Sequence, residues 1–476
     1  MPSVFFRLLL VFSAISVTSQ VQAAEHTVSP GDKIQDAVKK ASPGDVIVIE
    51  PGVYHESLFI DKANITLRGK VLAGRWPTLD GHGELNDGII ASGSGFTVEW
   101  LKLQNYKANG VTTQAADNVI MRHLVVENTG IYGIYPTLGR NVIVEDNITS
   151  GIADAGIYIG MCQHTDVRRN EAFDNVAGIE AENSHDVLIE NNYVYRNTSG
   201  ILVFTLPELP KKSSGNIIVR NNIISDNNIM NFGAKGAIVA SVPPGSGVIL
   251  LAADDVVFEN NIIRDNSLAG IIVAHHGAIP HMAKDPQVEP NPDRVKILSN
   301  LFLNNGHKSF GDLWIWSRYL VKQVISTGIP EGADEGMIPR GGDVVGTKVG
   351  TDLCLYNAES LKLRDTEHFK KCAEGSQKNP PVTMLVDQAK LPVTKSENLG
   401  EQTYGAICAG CHAVNYRLIG PPVKEIQAKY KDNPQGIVTF AKAPQKIRAD
   451  FPQMPPQEYL GEEKLKAVAA YMLLLK

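Results

Sequence analysis

Five residues near the C-terminus, Cys408-Ala409-Gly410-Cys411-His412, place two thiols three positions apart with an imidazole directly after the second. Thiols at this spacing can add across the two vinyl groups of a haem, and the adjacent imidazole is then delivered to the iron as an axial ligand. Two other chemistries use paired cysteines, a redox dithiol and half of a zinc site. Zinc needs a second ligand pair, and none lies nearby. The C-x-x-C-H pattern occurs once, so it predicts one covalently held haem c, with Cys408 and Cys411 as attachment points and His412 on the iron.

The remaining cysteines and the N-terminus say where such a group is assembled. Arg7, the apolar run Leu8 to Val17 and the ending Val21-Gln22-Ala23-Ala24 read as a secretory signal over residues 1–23, cleaved after Ala23. Its apolar core is too short to cross a bilayer, so no transmembrane segment is expected in the mature chain. Bacterial haem attachment takes place outside the inner membrane, and the two signals agree on the periplasm. In that oxidising space Cys354 and Cys372 are expected to form a disulfide. Cys162 then remains as a small buried residue. The chain has 476 residues, too many for one ordinary core, with 43% apolar and 20% charged residues. A net charge of −6 with no basic run argues against a nucleic-acid partner.

From about residue 64 to 305 the chain repeats. Gly88, Gly110, Gly133, Gly156, Gly178 and Gly200 each precede an apolar residue, at spacings of 22, 23, 23, 22 and 22. A second marker is an apolar residue three before an asparagine: Val144 with Asn147, Val167 with Asn170, Ile189 with Asn192, Val219 with Asn222, Phe258 with Asn261 and Ile297 with Asn300. Another asparagine follows most of these five residues on, at Asn175, Asn197, Asn227, Asn266 and Asn305. The period alone suits several repeat architectures. Leucine-rich repeats need L-x-x-L-x-L, which is missing. Short alternating runs of Val, Ile, Asn and Gly instead give three strands per turn of a right-handed parallel β-helix, its coils one strand spacing apart. Equivalent asparagines then stack into an amide ladder. Gly31 to Lys40 reads as a short amphipathic helix before a strand at Val46–Ile49, placed to cover the open end of the coil.

With Gly44-Asp45-Val46-Ile47-Val48-Ile49 and Pro51-Gly52-Val53-Tyr54, the chain resembles the pectin-lyase-like superfamily. The stretches Ala177 to Ser184, Gly200 to Phe204, Leu206-Pro207 and Asn231 to Gly236 resemble, more narrowly, a family of exported bacterial β-helix repeat proteins with no assigned reaction. That resemblance covers roughly residues 30 to 375.

Counting two and four residues on from each glycine gives side chains that point away from the coil. They are Thr112, Tyr135, Tyr158, Glu180 and Leu202, and Gln114, Thr137, Gly160, Glu182 and Phe204. Tyr135, Tyr158, Glu180, Glu182 and Phe204 are expected to line an exposed strip where aromatic rings suit sugars and two carboxylates suit Ca²⁺. Superfamily members that cleave acidic polysaccharides pair such a metal with a basic residue, for which Lys235 or His276 would stand here. A solvated face is the competing reading. The insertions at 207–215 and 240–249 are expected to break the register. Two functions follow: electron transfer, with the β-helix docking to a polymer or protein partner, or a polysaccharide-active enzyme of uronate lyase or epimerase type with an accessory cytochrome.

The repeats fade after residue 308. Trp314, Trp316 and Tyr319 are expected as a lid over the last coil. Residues 24–308 are thus assigned to the β-helix, 309–375 to its C-terminal extension, 376–396 to a linker and 397–476 to a haem domain. Thr394-Lys395-Ser396-Glu397 reads as a capping box opening a helix into Cys408. A last helix spans Glu462 to Leu475, with Leu465, Val468, Ala469, Met472 and Leu475 at helical spacing. This segment resembles a small class I cytochrome c, which implies an all-α domain. The resemblance further implies that Gly405 lets the first helix cross the last near Tyr471. It also implies a proline carbonyl, from Pro421 or Pro422, that accepts the proximal imidazole proton. For the sixth ligand, the methionines beyond His412 are Met454 and Met472. Met472 belongs to the apolar helix face, so Met454, 42 residues after His412 in a proline-rich loop, is expected on the iron. The partner implied is a redox protein.

Overall fold

In the computed structural model the repeats wind into a right-handed parallel β-helix followed by a small helical unit. Residues 23–475 are described, apart from 208, 235–236, 280–281, 283–284, 308–340, 348, 374, 377–380, 392–397, 410, 416, 418–419, 449–450, 452 and 455. The signal segment, the Trp314–Tyr319 cluster, Lys235 and the capping-box residues therefore lie outside the described residues. Each coil contributes one strand to each of three sheets, and the sheets hold thirteen, eleven and ten strands among the described residues. Neighbouring strands pair in parallel, as in Ala177–Glu182 against Ser199–Phe204.

The register explains both sequence markers. Ile157 stacks on Ile179, Ile179 on Ile201, Ile201 on Val248 and Val248 on Ile271, all fully buried along the coil axis. The glycines are needed because the next coil's backbone occupies the space of a side chain. A Cβ on Gly133 would lie 2.5 Å from the Gly156 oxygen, and one on Gly200 would lie 2.4 Å from the Gly247 oxygen. The glycine series therefore continues at Gly247 and Gly270. This corrects the expected break in register: Ser246–Leu251 pairs in step with Ser199–Phe204, and the extra residues, 205–214 and 226–245, fall between strands.

The asparagines form two internal ladders. Nδ2 of Asn147, Asn170, Asn192, Asn222 and Asn261 donates to Oδ1 of the next member at 2.9–3.0 Å, ending at Asn300. Asn197, Asn227, Asn266 and Asn305 repeat the pattern at the next turn, at 3.0–3.1 Å. Each also satisfies backbone groups that the turn leaves unpaired, such as Ile189 O by Asn222 Nδ2 at 2.9 Å.

Helix α1 (Ile34–Lys40) closes the N-terminal end with Ile34 and Val38 in the core. Its free N–H groups at Ile34 and Gln35 donate to the Glu56 carboxylate at 2.9 and 3.2 Å. Its last carbonyls, Val38, Lys39 and Ala41, accept from Lys62 Nζ at 2.6–3.0 Å. Acid at the N-terminus and base at the C-terminus suit the helix dipole.

The coil does not stop at residue 308. Gly342–Val345, Cys354–Leu355, Leu363–Arg364 and Lys370–Lys371 extend the sheets, so this part of the segment assigned as an extension is further coil. A disulfide joins Cys354 to Cys372 across these last strands.

The stretch expected as a linker is strapped to the thirteen-stranded sheet. Thr383 Oγ1 and Met384 N both donate to the fully buried Asp166 carboxylate, at 2.5 and 2.9 Å. Val386 N and O pair with the Asn141 amide at 2.9 and 2.7 Å, and Pro381 O accepts from Arg220. Met384 fills a depression between Leu188 and Ile218. A polar, proline-containing composition reads as a tether, yet its backbone groups are paired here.

Four α-helices follow among the described residues: α2 (Leu399–Thr403), α3 (Val423–Tyr430), α4 (Pro434–Lys442) and α5 (Gly461–Leu474). The cap of α2 is Asn398, whose side chain accepts from Gly400 N and Glu401 N at 2.9 and 3.1 Å. The crossing of α2 over α5 is made at Gly400, not at Gly405. A Cβ on Gly400 would lie 2.3 Å from Ala467 O and 2.7 Å from Tyr471 Cβ, whereas one on Gly405 would meet nothing within 4 Å.

Candidate functional site

Helix α2 runs on into a wide turn, Tyr404–Cys408, and one further turn brings the thiols and imidazole together. Cys411 N and His412 N both donate to Cys408 O, at 3.1 and 2.9 Å. His412 is buried, and its Nδ1 donates to Pro421 O at 2.8 Å. Pro422 O instead accepts the first N–H groups of α3, from Glu425 and Ile426. Burial pushes the imidazole below its ordinary pKa, against the bond to Pro421, so the neutral ring keeps an Nε2 lone pair. Gly420 presses on this ring: a Cβ there would lie 2.4 Å from His412 Cε1. Tyr404 OH donates to His412 O at 2.6 Å, fixing the backbone of the same residue. The Cys408 and Cys411 thiols are pushed up to about 12, mainly by burial; Cys411 adds to the effect on Cys408, and Asp87 to that on Cys411.

Met454 is half-buried and packs on the cluster of Ile407, Ile437, Val438, Leu460 and Leu465, which Cys408 also borders. Met472 is buried on the far cluster, among Tyr404, Ala409, Val423 and Val468. The loop that carries Met454 is anchored by Phe451, whose ring meets the Arg417 and Arg448 guanidinium groups at 4.1 and 4.3 Å. Those two arginines escaped the sequence reading because a cation stacked on an aromatic ring leaves no fixed spacing.

An imidazole held through Nδ1 with its Nε2 lone pair available, two thiols one helical turn apart and a thioether packed on the apolar cluster that Cys408 borders fit the donor set of haem c. The family model described as cytochrome c matches residues 398–476. Residues 398–476 are a cytochrome c domain. The model described as right handed beta helix region matches residues 210–311, and that of a periplasmic copper-binding protein, NosD, matches residues 79–239. No curated protein matches the chain. Among solved structures, the A-module of mannuronan C-5 epimerase AlgE4 from Azotobacter vinelandii is 19% identical, over 56% of this chain and 71% of its own, with a TM-score of 0.44. The alginate lyase of Paenibacillus sp. is 16% identical, over 60% of this chain and 98% of its own, with a TM-score of 0.43. At these values the likenesses carry no activity to this chain.

The strip on the β-helix differs from expectation. Its side chains do point away from the coil, forming a cluster separate from the inner core, but they are covered. Glu180 and Glu182 are 5% and 6% exposed, and Tyr135, Tyr158 and Phe204 are equally buried. The cover includes Leu206, Leu209, Val239, Val242, Ile279 and Met282, all from segments between strands. These insertions carry no repeat signal, so the count along each strand could not reveal them. Two members, Tyr132 and Asp154, lie in turns outside that count. The rings of Tyr132, Tyr135 and Tyr158 stand 4.3–5.0 Å apart, and Tyr158 OH donates to Glu182 Oε1 at 2.5 Å.

Burial raises the Glu182 carboxyl to about 7, and pushes Glu180 and Asp154 well above their ordinary range with help from neighbouring carboxylates. The cover over Glu180 and Glu182 thus removes the open carboxylate face that was expected for Ca²⁺. Among the described residues no cluster of three or more His, Cys, Asp or Glu is arranged to hold a metal ion. His276, considered as a base, is buried with Nε2 donating to Thr205 O at 2.7 Å. Cys162 is buried beside Pro136 O.

Proposed function

We propose that the protein is a single-haem c-type cytochrome of the periplasm that exchanges one electron at a time with a redox partner protein. The observation that carries this reading is the His412–Pro421 bond, which fixes the ring and leaves Nε2 as the ligand atom. Cys408 and Cys411 would hold the haem through thioether links, with His412 and Met454 as the protein donors to its iron. When bound, the haem would supply one-electron redox chemistry, and an imidazole–thioether donor pair would suit outer-sphere transfer rather than O₂ binding. The chain's own part is to aim the imidazole through Pro421 and Gly420, to exclude water with the Ile407–Leu465 cluster, and to hold the Met454 loop by Phe451. The periplasmic location is supported by the signal-like N-terminus and by the description of the family model over residues 79–239. No helix among the described residues is long and apolar enough to cross a membrane. Copper is not carried over from that description, and the lyase or epimerase reading loses the open strip it relied on.

The test is spectroscopic. Chain matured in a haem-attaching host should give one covalently bound haem per polypeptide by its alkaline pyridine spectrum. Met454→Ala should abolish the weak sulfur-to-iron band of the oxidised protein and lower the reduction potential. An unchanged band would remove Met454 from the iron.

A further inference from the structure

We infer that the cytochrome domain is docked, not tethered: its haem-attachment turn rests on the outward face of the eleven-stranded sheet, and the β-helix closes that side against other proteins. Three independent contacts converge on this arrangement. Leu138, at the turn after the strand Ile134–Thr137, leaves the coil and packs on Tyr404, Ala409, Val423, Val468 and Met472. The strand Val111–Gln114 lies against Tyr404–Cys408, and its outward residues Thr112 and Gln114 are 2% and 7% exposed, although they face away from the coil. Lys464 Nζ on α5 reaches Asp61 Oδ2, beside the strand Leu58–Ile60, at 3.3 Å.

These contacts differ in weight. The Lys464–Asp61 pair is half exposed and contributes little energy, so it sets orientation. Leu138 supplies the apolar anchor, a coil residue that completes the domain's own core. The strap at 381–387 shortens the free chain between the two units and raises the effective concentration of the domain at its dock. A redox partner must then approach the cytochrome domain from its uncovered side. The β-helix is in this sense the domain's own partner, and Leu138 borders both the domain's apolar core and the buried outer cluster of the coil.

The inference is tested on the full chain as a monomer. A zero-length carbodiimide should join Asp61 to Lys464 within one molecule, at a yield independent of protein concentration. Leu138→Asp should cut that yield, speed amide exchange over residues 404–412 and 111–114 several-fold, and speed haem oxidation by ferricyanide, with the haem absorption spectrum unchanged. Asp61→Lys combined with Lys464→Glu should restore the cross-link that either change alone removes. Failure of the wild-type cross-link, or exchange and ferricyanide rates in Leu138→Asp equal to wild type, would overturn the dock. Should Leu138→Asp not fold, the wild-type cross-link and the charge swap decide alone. A chain that cross-links but attaches no haem keeps the dock and loses the electron-transfer reading; a haem-loaded chain that never cross-links does the reverse.

Discussion

Asn222 has five equivalents in its ladder, whereas His412 has no equivalent in the cytochrome domain. In the coil, geometry is averaged over repeats: each rung accepts from one neighbour and donates to the next, so position is set by stacking. In the cytochrome domain a function is held by single residues, Pro421 for the ring and Gly420 for the space beside it. The first arrangement tolerates insertions between strands, as at 205–214 and 226–245, because only the register must survive. The second tolerates none at the ligands.

The sharpest way to break this contrast is to remove a middle rung. Asn222 Oδ1 accepts from both Asn192 N and Asn192 Nδ2, and Asn222 Nδ2 donates to Ile189 O and Asn261 Oδ1. Asn222→Ala leaves those four bonds without a partner at a fully buried site, where each stranded group costs about 1–3 kcal/mol before relaxation or water entry. A loss of about 3–5 kcal/mol in denaturant unfolding of the β-helix is expected. Asn300→Ala, at the ladder's end, should cost clearly less. Equal costs would mean that the ladder does not act as a stack.

The ladders were legible in the sequence because repetition makes a weak signal visible. One asparagine three residues after an apolar residue means little, but six in step predict a stack. What covers the strip was not legible. Val239 and Ile279 sit in segments with no period, and Tyr135 and Tyr158 in the same cluster are distant from them in sequence. The strap was hidden for a related reason: Asp166 reads as an ordinary polar strand residue, and nothing local shows that Thr383 and Met384, over 200 residues later, bind it. In the C-terminal segment the cytochrome c domain itself was legible, because the Cys408-x-x-Cys411-His412 spacing is local to five residues. The choice between Pro421 and Pro422 needed the α3 N-terminus, which occupies the second carbonyl.

The covered strip gives the next test, through pH. Glu182 has a folded pKa of about 7, above the ordinary carboxylate value, so the native state binds more protons than the unfolded chain between about pH 4.5 and 7. Stability from this group is therefore fully present below the unfolded pKa and is lost as pH rises through 7. The loss amounts to at most about 3 kcal/mol. Glu180 and Asp154 shift in the same direction. Glu182→Gln keeps an acceptor for Tyr158 OH but cannot titrate. Between pH 5.5 and 8 its denaturation midpoint should fall by less than that of wild type. A parallel fall in both proteins would show that Glu182 does not hold its proton in the folded state.

The smallest effect separates the two glycines of the first cytochrome helix. Gly400→Ala pushes a methyl group against Ala467 O and Tyr471 Cβ, at 2.3 and 2.7 Å, where backbone must move. The helix gains propensity by about 1 kcal/mol on losing a glycine, but the crossing of α2 over α5 opens. A net loss of about 1–3 kcal/mol is expected, with thermal unfolding of the cytochrome domain as the readout. Gly405→Ala meets nothing within 4 Å, lies in the wide turn before Cys408, and carries no close crossing. It should leave stability within about 0.5 kcal/mol of wild type. If Gly405→Ala were the damaging change and Gly400→Ala the neutral one, the helix crossing would have to be moved one turn toward the haem motif.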